Sequence, residues 1–494
     1  PRVTVHRHTL LVLLAATLCV LAAVPATAAG TPAEPELGPL NPAFVRALRD
    51  PDTEALGRMP SPVEVEVSAS VEAKAAARAL PSAYSLLSLG QVIDPVKDQS
   101  PYETCWAFSS IAALESALLK QEGVALDLSE DNVVGRSGFL SSRAERYGFG
   151  GYDFMAVAYF ARWAGPVTEA KDPYDGVPVA AKAVRHVQGT VMIPGRDSSL
   201  DNDLIKQLVV DYGAVSVGMH MDTGMQLAPS GRYYSYWDES TSSYYCYERN
   251  DCENHGVAIV GWDDDYPASN FGAAPTPPAG DGAFLVRNSW GTDWGTDGYF
   301  WVSYYDKGFA RDIGLGTYGG CVAYSDVEGV RNFSRNYGHD KLGVTGRIGY
   351  KDGSPIWGAN RFKAVSTRPI TAAGFYTLSS NTRYEIWAGR SFKKLTRRAR
   401  GTATLPGYHT VRFKKRLMVR KGKPFIVALR LYCPGDAAPL AIEQRVKFGG
   451  STVFAAASAK PGQSYVGAKR WRFSDLTKSR NYRTANVCLK AFAK

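Results

Sequence analysis

The sequence predicts an α+β body with two lobes, followed by an antiparallel β-sandwich, and three observations carry this. Helical periodicity dominates from residue 106 to 211 and strand-like runs from 214 to 304, an order that marks an α+β domain. After about residue 325 the helical period fades, and short runs alternating apolar and basic residues stand between turns, as in a sandwich. Charge divides along the same line. Residues 321–494 hold 34 Lys and Arg against 8 Asp and Glu, whereas residues 1–320 hold 23 against 39. Such asymmetry points to two bodies with different partners.

Residues 1–28 read as a secretory signal peptide. Arg2, His6, Arg7 and His8 make a basic start, Leu10 to Val24 is nearly unbroken apolar, and Ala26-Thr27-Ala28 offers a small-x-small cleavage pattern. The apolar run is too short to span a bilayer comfortably, and no second long run follows. The expected location is therefore secreted, extracellular or cell-wall associated. Residues 29–79, rich in Ala, Pro, Glu and Val, form a short pro-segment or linker. With 45% hydrophobic and 21% charged residues, the remainder has the composition of a globular protein and not of a disordered one.

From residue 80 the chain is compact. Phe108, Ile111, Ala112, Leu114, Leu118 and Leu119 recur at helical spacing and predict a helix over 106–121, with Gly123 just past its end. Further helices are expected at 153–163, stopped by Gly165-Pro166, and at 201–211, ahead of the strand-like run 214–219. Short β runs follow at 257–260, 283–287 and 299–304. In the last third, strands are expected at 372–378, 383–388, 409–413, 424–432 and 485–492.

Three residues carry the chemistry: Cys105 in K-D-Q-S-P-Y-E-T-C-W-A-F, His255 in N-H-G-V-A-I-V-G-W, and Asn288 in L-V-R-N-S-W-G-T-D-W-G. His255 lies 150 residues after Cys105, and Asn288 lies 33 after His255. A thiol attacks only as a thiolate, and free cysteine has a pKa near ~8.5. A place at the first turn of a helix, with an imidazolium nearby, favours the thiolate. An imidazole serves as general base and then general acid, and an amide can hold its orientation.

In these motifs the chain from about residue 80 to 321 resembles the papain family of cysteine peptidases. Q-S-P-Y-E-T-C-W-A-F stands where the family has Q-G-x-C-G-S-C-W-A-F. The resemblance implies that the Gln99 side chain and the Cys105 N–H bind the oxyanion, donors commonly worth ~3 kcal/mol or more. It implies that Trp290 shields the Asn288–His255 bond from water. It also implies that Gly150-Gly151 pairs its backbone with an extended substrate. No metal or organic cofactor is implied, and the partner is a polypeptide substrate. Asp263-Asp264-Asp265 lacks the spacing of a calcium loop and reads as a solvated turn.

Departures from the family pattern are informative. Tyr102 replaces a disulfide cysteine, and Ser100 replaces a glycine in the oxyanion loop. Glu103 replaces a glycine that presents bare backbone to the substrate residue just before the cut, and is expected either to favour Lys or Arg there or to narrow access. The usual long inhibitory pro-domain is not visible in residues 29–80. Of seven cysteines, Cys19 leaves with the signal peptide and Cys105 stays a thiol. Disulfides Cys246–Cys252 and Cys433–Cys488 are expected in an oxidising compartment, with Cys321 left over.

The last third resembles the lectin-like β domain that follows secreted prokaryotic papain-type peptidases, through W-G-A-N-R-F-K-A, I-T-A-A-G-F-Y-T and Y-E-I-W-A. The name implies glycan binding; the basic charge suggests adhesion to an anionic cell-surface polymer, and packing against the acidic peptidase half is a third option. No nucleic acid partner is expected of an exported chain. The resulting division is a signal peptide at 1–28, a pro-segment at 29–79, a peptidase domain at 80–325 and a lectin-like domain at 326–494. The reading is a secreted cysteine endopeptidase working through a Cys105 acyl-thioester. Its rival is a weak or inactive surface-binding adhesin on a peptidase fold, for which Ser100 and Glu103 speak.

Overall fold

The computed structural model describes residues 34–49, 56–227, 233–248, 253–311, 320–447 and 453–494. The expected signal peptide and Cys252 lie outside them. Among the described residues no helix is long and apolar enough to cross a membrane.

Seven α-helices occur among the described residues: α1 (Pro42–Arg49), α2 (Ala69–Ala76), α3 (Cys105–Glu122), α4 (Glu130–Arg136), α5 (Arg143–Gly148), α6 (Asp153–Ala161) and α7 (Asp203–Tyr212). Helix α3 is the central one. It ends at Gly123, whose φ of 66° accepts the left-handed turn that closes the helix. It is buried on nearly every side because it separates two cores. One core packs α3 against α4 and α6 through Ile111, Leu114, Val133 and Val157. The other fills the β lobe with Val215, Ile259, Trp262 and Phe300.

The β lobe is an antiparallel array in which the strand His255–Asp263 lies between Val215–Met219 and Ala283–Arg287. This array belongs to a larger sheet that does not stop at the expected boundary near residue 325. The strand Arg185–Ile193 pairs with Cys321–Gly329 on one side. On the other it meets Gly407–Val419 of the C-terminal part, where Gly189 opposes His409. The side chains reinforce this seam: Tyr408 N–H donates to Thr190 Oγ1 at 3.0 Å and Thr410 Oγ1 donates to Gln188 Oε1 at 2.7 Å.

The C-terminal part is the antiparallel β-rich domain the alternation predicted. A six-stranded sheet includes Ile356–Lys363, Thr382–Gly389 and Pro424–Tyr432. Along the last of these, Phe425, Val427, Leu429 and Leu431 face the domain core. Ile426 and Ala428 face an outer cluster with Trp357 and Trp387, the two-residue period of a strand. The run 485–492 forms two strands, Asn486–Val487 and Leu489–Ala493.

The expected Cys433–Cys488 disulfide is absent. Both are thiols, each aimed at a different carbonyl: Cys433 Sγ at Ser380 O, 3.5 Å, and Cys488 Sγ at Gly343 O, 3.2 Å. Cys488 is packed into the core of the helical lobe, whereas Cys433 follows a strand of the six-stranded sheet. In the acidic run, Asp264 pairs with Lys206 at 2.5 Å.

Candidate active site

Cys105 is the first residue of α3 and is fully buried. Gly256 N–H donates to its Sγ at 3.1 Å, which ties the thiol to the residue after His255. His255 opens its strand, opposite Met219. The neighbouring strand ends at Arg287, so the next residue, Asn288, lies beside the imidazole. His255 Nε2 and Asn288 Oδ1 are 2.7 Å apart. Because Oδ1 also accepts from Ser289 N–H at 2.9 Å, it acts as an acceptor, and Nε2 carries the proton. The other ring nitrogen, Nδ1, is buried without a hydrogen-bond partner; in the neutral ring it holds a free lone pair. Trp290 lies over the pair, its ring 4.9 Å from that of His255.

Gln99 Nε2 donates to Leu56 O and to Tyr102 O, both at 3.0 Å. Its Oε1 accepts from Ser289 Oγ at 2.7 Å. The loop before it is anchored by Lys97, whose Nζ lies 3.1 Å from Glu115, 2.8 Å from Asp127 and 3.0 Å from Glu130. Ser100 is accommodated without a positive φ, and its N–H donates to Asp98 Oδ1 at 2.8 Å. Tyr102 packs edge-on against Tyr147 and Tyr174. Glu103 is half-buried, which raises its carboxyl pKa.

Residues 56–59 lie across this constellation. Leu56 N–H and Arg58 N–H donate to Asn254 O at 2.9 and 3.2 Å. On the other side Gly151 N–H donates to Gly57 O at 3.1 Å, and Met59 N–H donates to Gly151 O at 2.9 Å, a parallel bridge between Arg58 and Gly151. The two glycines serve different ends. A Cβ on Gly150 would lie 2.8 Å from Gly57 backbone, whereas one on Gly151 would lie 2.6 Å from the Trp106 ring.

Burial beneath this strap governs the pair's protonation. Desolvation pushes the Cys105 thiol up to about 12, against the Gly256 N–H and the Arg58 charge. Desolvation also pushes His255 down to about 4, against the Asn288 bond and with help from Arg58. At neutral pH the covered pair is thiol and neutral imidazole.

The structure thus gathers Cys105, His255, Asn288, Gln99, Trp290, Gly150, Gly151 and Glu103 around one cleft. Sequence reasoning missed Ser289, Lys97, Arg58, Asp153 and Glu253. Asp153 follows Gly150-Gly151-Tyr152 and Glu253 stands two before His255, so position alone marked both.

Residues 80–314 match the family model described as papain family cysteine protease, and residues 336–493 match the one described as lectin like domain. The chain thus carries a papain-family domain followed by a lectin-like domain. Cysteine proteinase 2 of Zea mays is 32% identical over 46% of this chain and 56% of its own. Pro-cathepsin H of Mus musculus is 29% identical over 45% and 60%. The chain thus spans roughly half the length of these relatives. Among solved structures, the cysteine protease and lectin-like domains of Cwp84, a surface layer associated protein of Clostridium difficile, superpose with a TM-score of 0.77 at 24% identity, over 94% of this chain and 99% of that one. Clostridial Cwp84 in a cysteine-to-alanine form after propeptide cleavage gives 0.70 at 26% identity, over 84% and 100%.

Proposed function

We infer that this chain is a secreted cysteine endopeptidase held latent by its own residues 56–59. The observation that carries the reading is the pairing of His255 Nε2 with Asn288 Oδ1 at 2.7 Å, which leaves Nδ1 as the basic nitrogen beside the cleft. With the strap gone, water and substrate reach the pair. His255 Nδ1 takes the Cys105 proton, and Sγ attacks the substrate carbonyl carbon. The oxyanion accepts from Gln99 Nε2 and the Cys105 N–H. Collapse breaks the C–N bond, and the leaving amine takes the proton from Nδ1. Water then attacks the thioester, losing a proton to Nδ1, and the thiol leaves with it.

Asn288 fixes the imidazole, Trp290 keeps water from that bond, and the backbones of Gly150 and Gly151 receive the extended peptide. Glu103 favours Lys or Arg in the substrate residue just before the cut. An unchanged ratio of Arg- to Leu-bearing substrates at that position in Glu103→Gly would remove this role. Residues 29–79 act as the pro-segment, 80–325 as the peptidase and 326–494 as the lectin-like domain. The basic charge of the last directs the enzyme to a glycan or anionic polymer of a cell surface.

The test is labelling of the purified chain, before and after N-terminal trimming, with a thiol-reactive peptidyl epoxide. Labelling that vanishes in Cys105→Ala supports the reading. No labelling of either form favours the adhesin.

A further inference from the structure

The strap places one side chain in a pocket of its own. Arg58 Nη1 lies 2.8 Å from Asp153 Oδ2, and Nε lies 3.4 Å from Glu253 Oε2, with all three side chains no more than 5% exposed. Nη2 donates to Gly320 O at 3.2 Å. The acidic wall is built, not incidental. Asp153 opens α6, and its Oδ1 accepts from Ser216 Oγ at 2.6 Å and Ser110 Oγ at 3.2 Å. Gly218 leaves the space: a Cβ there would stand 1.9 Å from Glu253 Oε2 and 2.6 Å from Arg58 Nε. Two buried carboxylates facing one cavity are costly unless a cation joins them.

We propose that this pocket is the specificity site for a cationic substrate side chain, Arg above all, with Arg58 as the chain's own occupant. The inference rests on the peptidase reading and names the substrate class of that site. The position follows from the strap. Leu56 O sits on Gln99 Nε2, where the oxyanion forms. Gly57 lies against the backbone of Glu103 and Thr104, where the residue before the cut belongs. Arg58 fills the next place. The parallel bridge to Gly151 means that the strap runs opposite to a substrate pairing antiparallel there, but the side-chain pocket is the same. The selected residue is therefore the second one before the cleaved bond. A planar guanidinium meets both carboxylates and the Gly320 carbonyl at once, as an ammonium does less well. A leucine offers no charge to the two carboxylates that Arg58 now meets.

The experiment uses the chain trimmed at its N-terminus and freed of the strap, with active sites counted by a peptidyl epoxide, and two fluorogenic peptides that differ only in that second residue, Arg or Leu. Arg should exceed Leu in kcat/KM per titrated site by about tenfold or more, and Glu253→Gln should cut that ratio. Wild type alone decides even if the variant fails to fold: equal or better turnover of the Leu peptide, with sites titrating normally, overturns the proposal. A chain without any titratable site once the strap has been removed overturns the peptidase reading and this inference with it.

Discussion

Ser289 Oγ donates to Gln99 Oε1 at 2.7 Å, joining two residues 190 positions apart and coupling the loop of Asn288 to the glutamine proposed to bind the oxyanion. The bond fixes which end of the Gln99 amide faces the cleft. Ser289→Ala removes it while Tyr102 O still holds Nε2. We expect kcat to fall by about five- to tenfold with KM little changed, because the loss falls on the transition state. Steady-state kinetics on titrated enzyme measure this.

Gly57 has a φ of +114°, and a Cβ there would stand 2.4 Å from the Glu103 carbonyl carbon. Gly57→Ala should therefore expel the strap and not unfold the cleft. Cys105 in the intact chain should label at least about tenfold faster, with a stability loss of about 1–3 kcal/mol. Rates of epoxide labelling before any trimming test it; equal rates mean that the strap does not limit access.

His255 is buried neutral, with its pKa pushed down to about 4, against ~6.5 in an unfolded chain. Above ~6.5 neither state is protonated and the term vanishes. Below it the unfolded chain binds a proton that the folded chain refuses, so stability falls with pH until about 4. The unfolding free energy of wild type relative to His255→Gln should drop by about 1.4 kcal/mol per pH unit across that window. Denaturant titrations of the intact pair at several pH values measure the slope; a flat difference would mean that the imidazole is not shut away.

Lys490 and Asp340 form a pair 2.5 Å apart with side chains 1% and 0% exposed. Lys490→Met strands the carboxylate and should cost about 3–5 kcal/mol. Adding Asp340→Leu should restore much of it, since the desolvation cost goes with the pair. Thermal unfolding of the four forms gives the cycle.

Much of this was legible in the sequence because it is local. The helix expected at 106–121 is found at Cys105–Glu122, and the strand expected at 283–287 has those bounds. Cys105, His255 and Asn288 each carry their own flanking pattern. What was not legible depends on distant partners. Arg58 and Glu253 stand 195 residues apart, and nothing in P-S-P-V-E-V-E-V-S-A-S announces a neighbour that fills a cleft. The strand Arg185–Ile193 was missed because both its neighbours lie far along the chain. Helices α4 and α5 span too few turns to display a period, although Ser142 and Glu145 form a capping box. The disulfide expectation failed because compartment says that cysteines can pair, not which ones meet.

The segments on both sides of the strap are fastened to the lectin-like part. Glu36–Leu37 pairs with Gly349 and Ile348 as an edge strand, Phe44 packs edge-on against Phe454, and Ser68 N–H donates to Ser380 Oγ at 2.8 Å. Cutting between strap and peptidase does not by itself free the cleft, because the severed piece stays tethered by these contacts at a high effective concentration. Onset of activity would then follow the off-rate of a bound inhibitor and not the scissile event, and whatever loosens the lectin-like sheet would set the clock of the protease.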